Sequence, residues 1–327
     1  MDIEDIVIKA TDAARIRKST DIQTLWSGYG IVRRFELEDC SHPSVVVKHI
    51  NPPPTESRGK HKNPAEFDKR KLRSYRIETA WYGEWSRFCD KTCRIPECLG
   101  TASEGNEIVI ILENLLASGY SVKTENPSRE QIAAALSWLA NFHAVFMAKE
   151  PKNLWKTGSF WHLKTRAEEL KALEDPALKE AAHAIDRRLN GSPFQTFVHG
   201  DAKTDNLCFT RTGNDVAAVD FQYVGGGCGM KDVAYFMGSC FFEEQCAANE
   251  SFMLDLYFRE LRKSIRTHCP GIDAGAVEAD WRSLFPFAWT DFYRFLKGWK
   301  KVRSGPHSYS ERMKEKVLTE LNGKSPM

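Results

Sequence analysis

The sequence predicts an α+β protein of two lobes, a sheet-bearing N-terminal lobe over residues 1–112 and a larger helical C-terminal lobe over residues 113–327. Alternating, β-branched segments are concentrated before Leu112, whereas helical periodicity dominates after Glu113-Asn114-Leu115. The chain's 327 residues also exceed the ~250–300 at which a single hydrophobic core usually stops growing.

Residues 31–35 (IVRRF) and 45–48 (VVVK) alternate and are joined by a polar, proline-containing turn, which predicts an antiparallel sheet. Residues 51–64 (NPPPTESRGKHKNP) can hold neither a helix nor a central strand and are expected to form a mobile loop. A helix is predicted over 65–90, where Phe67, Leu72, Tyr75, Trp81, Trp85 and Phe88 recur at helical spacing, and a buried strand over 107–112 (EIVIIL). Further helices are predicted over 129–147, over 160–173 and around 182–189. Two short strands, 196–198 and 217–219, run straight into polar clusters, and strand ends are where loops present chemistry on a rigid support. From Trp281 through Phe285, Trp289, Phe292 and Phe295 to Trp299, aromatics recur at helical spacing, and most of them should be core.

With 42% hydrophobic and 28% charged residues the chain can build a packed core, which excludes disordered, collagenous and coiled-coil classes. A net charge of +2 supplies no broad basic field, so neither nucleic acid nor a membrane is expected as a partner. Residues 1–17 fit no secretory or transit signal, and no run approaches the ~20 apolar residues of a membrane span. The nine cysteines are then read as reduced thiols in a cytoplasmic protein. Cys89, Cys93 and Cys98 lack the paired spacing of a zinc knuckle and are read as partly buried thiols.

The chemistry is concentrated in His199-Gly200-Asp201-Ala202-Lys203-Thr204-Asp205-Asn206, followed shortly by Val219-Asp220-Phe221-Gln222. An Asp, an Asn and a second Asp at these intervals match a phosphoryl-transfer layout. One carboxylate orients or deprotonates a hydroxyl, while an amide and a carboxylate hold Mg²⁺ on a nucleotide. Asp201, taken as an unperturbed carboxylate, would act mostly by positioning. In the first lobe Lys48 ends an apolar strand, where a charge needs a partner or a ligand.

These motifs, with Trp26-Ser27-Gly28-Tyr29-Gly30, Val46-Val47-Lys48, the SYRIETAWY run containing Glu78, the KDVAYF run containing Asp232 and the FYRFLKGW run, resemble the aminoglycoside phosphotransferase and choline kinase superfamily. Within it the chain looks most like the ecdysteroid-kinase-like branch. The resemblance implies a protein-kinase-like bilobal fold and ATP- and Mg²⁺-dependent phosphorylation of a small-molecule hydroxyl. It implies that Asp201 is the catalytic base, that Asn206 and Asp220 are metal ligands, and that Asp232 ties down the catalytic loop while His199 organises its backbone. Lys203 would face the transferred phosphate or else lie solvated. Lys48 would contact the α- and β-phosphates, supported by Glu78, with Glu84 and Glu66 as competitors. Gly28 and Gly30 would form the phosphate-covering turn, and the connector carrying Glu113 and Leu115 would receive adenine on its backbone.

For the acceptor, the aromatic helix suits a mid-sized, largely apolar alcohol, a steroid among the candidates, or an amine held by cation–π contact. A choline- or ethanolamine-type kinase is the alternative if Asp291 points into the pocket. A catalytically silent nucleotide-binding regulator is the alternative from another class. The chain lacks D-F-G and A-P-E segments, which argues against protein phosphorylation.

Overall fold

Helix α1 (Ile3–Thr11), whose first N–H groups are capped by the Asp2 carboxylate, leads into strands β1 (Arg15–Thr24), β2 (Gly30–Glu38) and β3 (Ser44–Ile50). Helix α2 (Pro64–Ala80) then precedes β4 (Cys98–Glu104) and β5 (Glu107–Glu113). The computed structural model describes residues 1–52, 64–302, 305 and 307–323. The loop expected at 51–64 falls almost wholly outside these described residues.

The five strands form one antiparallel sheet in the order β1-β2-β3-β5-β4. Its two faces enter different cores, as a period of two requires. Val45, Val47, Val109 and Ile111 pack with Val7 of α1, while Ile50, Ile108 and Ile110 pack with Tyr75 and Ile77 of α2. Lys48 shares the second face, and that register aims it at α2.

Strand β1 was not expected from the sequence. It is an edge strand, nearly all exposed, so no buried face imposes an alternating pattern on RIRKSTDIQT. Its side chains instead pair across to β2, as Arg15 with Glu38, Arg17 with Glu36, and Asp21 with Arg33. The helix expected over 65–90 ends at Ala80 and passes into a π-helical turn, Trp81–Trp85, and a 3₁₀ turn, Ser86–Phe88.

The second lobe contains α3 (Arg129–Val145), α4 (Ala167–Lys171), α5 (Pro176–Asn190), α6 (Met230–Cys240), α7 (Glu243–His268), α8 (Ala274–Lys300) and α9 (Tyr309–Leu321). Two antiparallel ribbons lie among them, β6 (Thr196–Val198) with β9 (Gly225–Gly227), and β7 (Leu207–Phe209) with β8 (Val216–Ala218). The helix expected over 160–173 is reduced to a 3₁₀ turn, Leu163–Thr165, and the short α4. The segment before it spends its backbone elsewhere: Gly158 N–H donates to the Gly226 carbonyl at 2.8 Å, and Phe160 N–H to the Gly200 carbonyl at 3.0 Å. These bonds compete with helix formation, and the aromatic spacing of the segment serves ring packing instead.

The lobes meet on Trp81, which stacks on Phe221 with centroids 4.5 Å apart; Phe221 in turn lies 4.6 Å from the His199 ring. This contact sets the first-lobe sheet against the loops that carry the chemistry. No described helix is long and apolar enough to cross a membrane.

Candidate active site

The loop after β6 is fixed from below by Asp232 in the first turn of α6. Fully buried, its carboxylate accepts the N–H groups of His199 at 2.6 Å and Gly200 at 2.9 Å. The same carboxylate is 3.1 Å from His143 Nε2, whose Nδ1 is 2.7 Å from the Tyr257 hydroxyl. His199 Nδ1 accepts the Asp201 N–H at 3.3 Å and Nε2 lies 3.1 Å from the Val219 carbonyl, which a neutral ring protonated on Nε2 satisfies. Burial lowers its pKa and favours that form. Gly200 has φ +79°, and a Cβ there would sit 2.2 Å from the Tyr223 carbonyl, so only glycine lets these loops approach. The loop-organising roles expected of Asp232 and His199 are visible in these bonds.

Asp201 is the focus of the loop. Asn206 Nδ2 donates to its backbone oxygen at 2.8 Å and its Oδ2 at 3.0 Å, and the Tyr235 hydroxyl also hydrogen-bonds its carboxylate. Burial, and then the negative charge of Asp220, push the Asp201 carboxyl up to about 7. Asp201 is therefore a stronger base than the unperturbed carboxylate expected from the sequence. Lys203 pairs with Asp205 at 3.2 Å on the outer side of the loop, and its charge partly offsets the rise at Asp201.

Across from this loop, Lys48 Nζ lies 2.6 Å from Glu78 Oε2 and 3.2 Å from Asp220 Oδ1. Of the three glutamates weighed on the sequence, Glu78 faces the lysine, whereas Glu84 accepts from Asn153 Nδ2 and Glu66 is exposed. One cation thus serves two carboxylates. Burial pushes Glu78 up to about 7, only partly countered by Lys48, while Asp220 is held below its ordinary value because Lys48 and Lys71 outweigh its own burial. Burial also opposes the charge of Lys48, but Asp220 and Glu78 overcome it and raise its pKa. Asp220 has φ +68°, a strained conformation for a non-glycine residue that aims its carboxylate between the lobes.

Lys71 and Gln222 complete this cluster, and sequence reasoning missed both roles. Gln222 Nε2 donates to Asp220 at 2.6 Å, and its Oε1 accepts from Lys71 Nζ and Ser74 Oγ, each at 3.1 Å. Burial lowers Lys71 to about 8. The available signal was spacing, since Lys71 precedes Glu78 by about two helical turns and so shares its face of α2.

Gly30, with φ +146°, has the His49 carbonyl 2.0 Å from where a Cβ would stand, whereas Gly28, φ +71°, faces open space. The N–H groups of Gly28 and Tyr29 close the turn onto Leu25 and Trp26. At the end of β5, the Glu113 side chain is engaged by Arg94 and by the Glu97 N–H, and its own N–H donates to the Glu97 carbonyl at 2.9 Å. Leu115 N–H has no acceptor among the described residues.

On α8, Trp281, Phe285, Trp289 and Phe295 are core. Phe292 instead reaches Tyr235 and Trp161, at 4.8 and 5.1 Å between centroids. Asp291 is buried and accepts from Arg294 Nε and Nη2 at 3.0 and 2.9 Å and from Trp161 Nε1 at 3.1 Å. It is spent internally and offers no free charge to an amine.

No curated protein matches the sequence. Among solved structures, the chain is similar to choline kinase LicA from Streptococcus pneumoniae at 15% identity, over 99% of this chain and 100% of that one, with TM-score 0.45. It is similar to a microcompartment-associated aminopropanol kinase at 13% identity, over 97% and 93%, with TM-score 0.47. A third likeness is to an aminoglycoside phosphotransferase from Streptomyces rimosus, at 12% identity over 88% and 99%, with TM-score 0.42. The pattern of the ecdysteroid kinase-like family matches residues 79–160 and 150–269. That is more than half of the chain, which therefore belongs to the ecdysteroid kinase-like family and is a phosphotransferase acting on the alcohol group of a small molecule.

Proposed function

We propose that the protein transfers the γ-phosphoryl group of ATP, bound with Mg²⁺, to a hydroxyl of a mid-sized, largely apolar alcohol, a steroid among the candidates. The observation that carries this reading is the meeting of Lys48, Glu78, Asp201, Asn206 and Asp220 at one seam from three distant parts of the chain. In the transfer, the acceptor oxygen bonds to the γ-phosphorus as the bond to the β–γ bridging oxygen breaks. ADP departs, and the hydroxyl proton passes to Asp201, whose raised pKa suits it to receive one near neutral pH.

Asn206 commits its amide nitrogen to Asp201, which leaves its oxygen and the Asp220 carboxylate as two hard donors suited to Mg²⁺. Among the described residues no three His, Cys, Asp or Glu side chains gather as a metal site, which fits an ion that relies on phosphate oxygens for much of its shell. Such an ion would neutralise charge on the phosphates. Lys48 would anchor the α- and β-phosphates with Glu78 holding it in place, and Lys203 would offset charge on the transferred group. The Gly28–Gly30 turn would cover the phosphates, and the Glu113 carbonyl and Leu115 N–H would receive adenine. We place the lobe division at residues 1–112 and 113–327. Nine unpaired cysteines support a reducing, cytoplasmic setting.

A phosphate-transfer screen over sterols, amino alcohols, sugars and aminoglycosides, with mass detection of product and a parallel ATP-binding measurement, tests the reading. Product from an apolar alcohol that disappears in Asp201→Asn supports it. ATP binding without product from any acceptor would favour a catalytically silent regulator, and no ATP binding at all would defeat both.

A further inference from the structure

The rims of the acceptor side are basic. Asp201 meets Asn206 on one side and Tyr235 on the other, so an acceptor hydroxyl approaches past Tyr235. From Tyr235 the wall continues to Phe160, 5.2 Å between centroids, and to Phe292. The Arg166 guanidinium lies over Phe160 and Phe295 at 5.9 and 5.3 Å, fixed by the Phe160 carbonyl at 2.6 Å and by Glu169 at 3.2 Å. Arg70 crosses from α2 and donates to the Thr165 carbonyl at 2.8 Å, with no carboxylate in ion-pair distance among the described residues. That bond sets Arg70 against the residue preceding Arg166, and burial and then the Arg166 charge lower the Arg70 pKa, opposed by Tyr223, Glu169 and Glu66. The Tyr223 ring joins the same wall, 5.9 Å from Phe160 between centroids.

Of the carboxylates near this charge, Glu66 of α2 is exposed and acts on Arg70 only from beyond ion-pair distance, and the others are already engaged. Glu169 is held by Arg166, Asp205 by Lys203 and Asp291 by Arg294. Within ion-pair distance, two arginines therefore share one carboxylate, Glu169, along the aromatic wall that leads from Tyr235. A cationic acceptor would meet like charge there, whereas an anion would gain charge-assisted bonds from planar donors suited to carboxylate or phosphate geometry.

We propose that the acceptor is an alcohol with an apolar body and an anionic substituent, such as a carboxylate or sulfate, bound by Arg70 and Arg166 while its body lies on Phe160 and Phe292. The proposal rests on the kinase reading above and narrows its substrate class.

The test uses three hydroxylated steroids that share one ring system and differ only in a side-chain terminus: carboxylate, uncharged amide or trimethylammonium. Their binding to the full chain is measured by calorimetry with Mg²⁺ and a non-hydrolysable ATP analogue present. The carboxylate should bind at least about tenfold more tightly than the amide, with the ammonium weakest. Arg70→Gln and Arg166→Gln should each remove that advantage, lowering affinity for the carboxylate far more than for the amide, while affinity for the nucleotide analogue is unchanged. Arg166→Lys, which keeps the charge, should restore part of it, and melting curves identify any variant that fails to fold. Tightest binding of the ammonium, equal binding of carboxylate and amide, or no binding of any steroid would overturn the proposal. With nucleotide binding intact, those outcomes sink the acceptor class alone; absence of nucleotide binding in the wild-type protein sinks the kinase reading beneath it.

Discussion

Lys48 Nζ stands 3.2 Å from Asp220 Oδ1, although 172 positions of sequence separate them. The contact joins the first-lobe sheet to the loop after β8, and Glu78 of α2 completes it at 2.6 Å. Nucleotide phosphates would be drawn to this seam, since it holds Lys48 and Lys71 beside a carboxylate able to take a metal ion.

Asp201→Asn should lower kcat at least ~10²-fold with ATP affinity nearly intact, because in the proposed reaction the carboxylate acts on the acceptor hydroxyl. A second readout needs no acceptor. The folded-state pKa of about 7 stands above the ordinary 3.8, so the carboxyl's contribution to stability is full below about pH 3.8 and is lost as pH rises through 7. Asp201→Asn should therefore melt roughly 2–6 °C above wild type at pH 8, the gap closing as pH falls toward 4. An unchanged melting difference across that range would show that the carboxyl is not held neutral.

Asp220→Ala and Asn206→Ala should each raise the Mg²⁺ concentration needed for half-maximal activity. Asp220→Ala should be the more severe, because it would remove a formal charge from the proposed ion site. Titration of Mg²⁺ against ATP turnover reads the effect. Parent-like Mg²⁺ dependence in both variants would place the ion elsewhere.

Lys48→Met should raise the KM for ATP and lower kcat, with Glu78→Gln a milder version, and a double-mutant cycle should show coupling between them. Glu78 adds a pH signature. Its carboxyl is pushed up to about 7 by burial, so acidification below that value protonates it and releases its hold on Lys48. The KM for ATP should rise between pH 8 and pH 6 in wild type and change less in Glu78→Gln.

Asp232→Ala leaves the N–H groups of His199 and Gly200 and the ring of His143 without their buried acceptor. At about 1–3 kcal/mol for each orphaned donor, the three together should cost roughly 3–9 kcal/mol, read as a lower urea midpoint. Asp232→Asn, which keeps a carbonyl acceptor, should retain more of the stability. Equal midpoints for the alanine variant and wild type would show that these bonds contribute nothing.

Gly30→Ala should weaken both folding and ATP binding, because its Cβ would collide with the His49 carbonyl and distort the turn over the cleft. Gly28→Ala meets open space and carries only the cost of φ +71°, on the order of 1 kcal/mol. Melting temperatures and ATP KM of the two variants should separate in that order.

The sequence by itself determined whatever depends on short-range spacing. Asp201 and Asn206 share one loop, so their residue types and interval, with Asp220 shortly after, could be read as a phosphoryl-transfer layout, whereas the hydrogen bond from Asn206 to Asp201 came only with the folded loop. Strands β2, β3 and β5 were legible because each buries a face and therefore alternates or runs apolar, while β1 was hidden because an exposed edge strand imposes no pattern. Glu66, Glu78 and Glu84 were all eligible partners for Lys48 on helical sequence alone. Only the seating of α2 against β3 aimed Glu78 at the lysine and sent Glu84 to Asn153. Tertiary structure also decided the fate of Asp291, which is spent on Arg294 and Trp161, and raised Asp201 to about 7 by burying it beside Asp220. The closeness of Arg70 to Arg166 belongs to the same class: residues nearly a hundred positions apart, on different lobes, acquire a shared charge environment only when the packed fold brings their elements together.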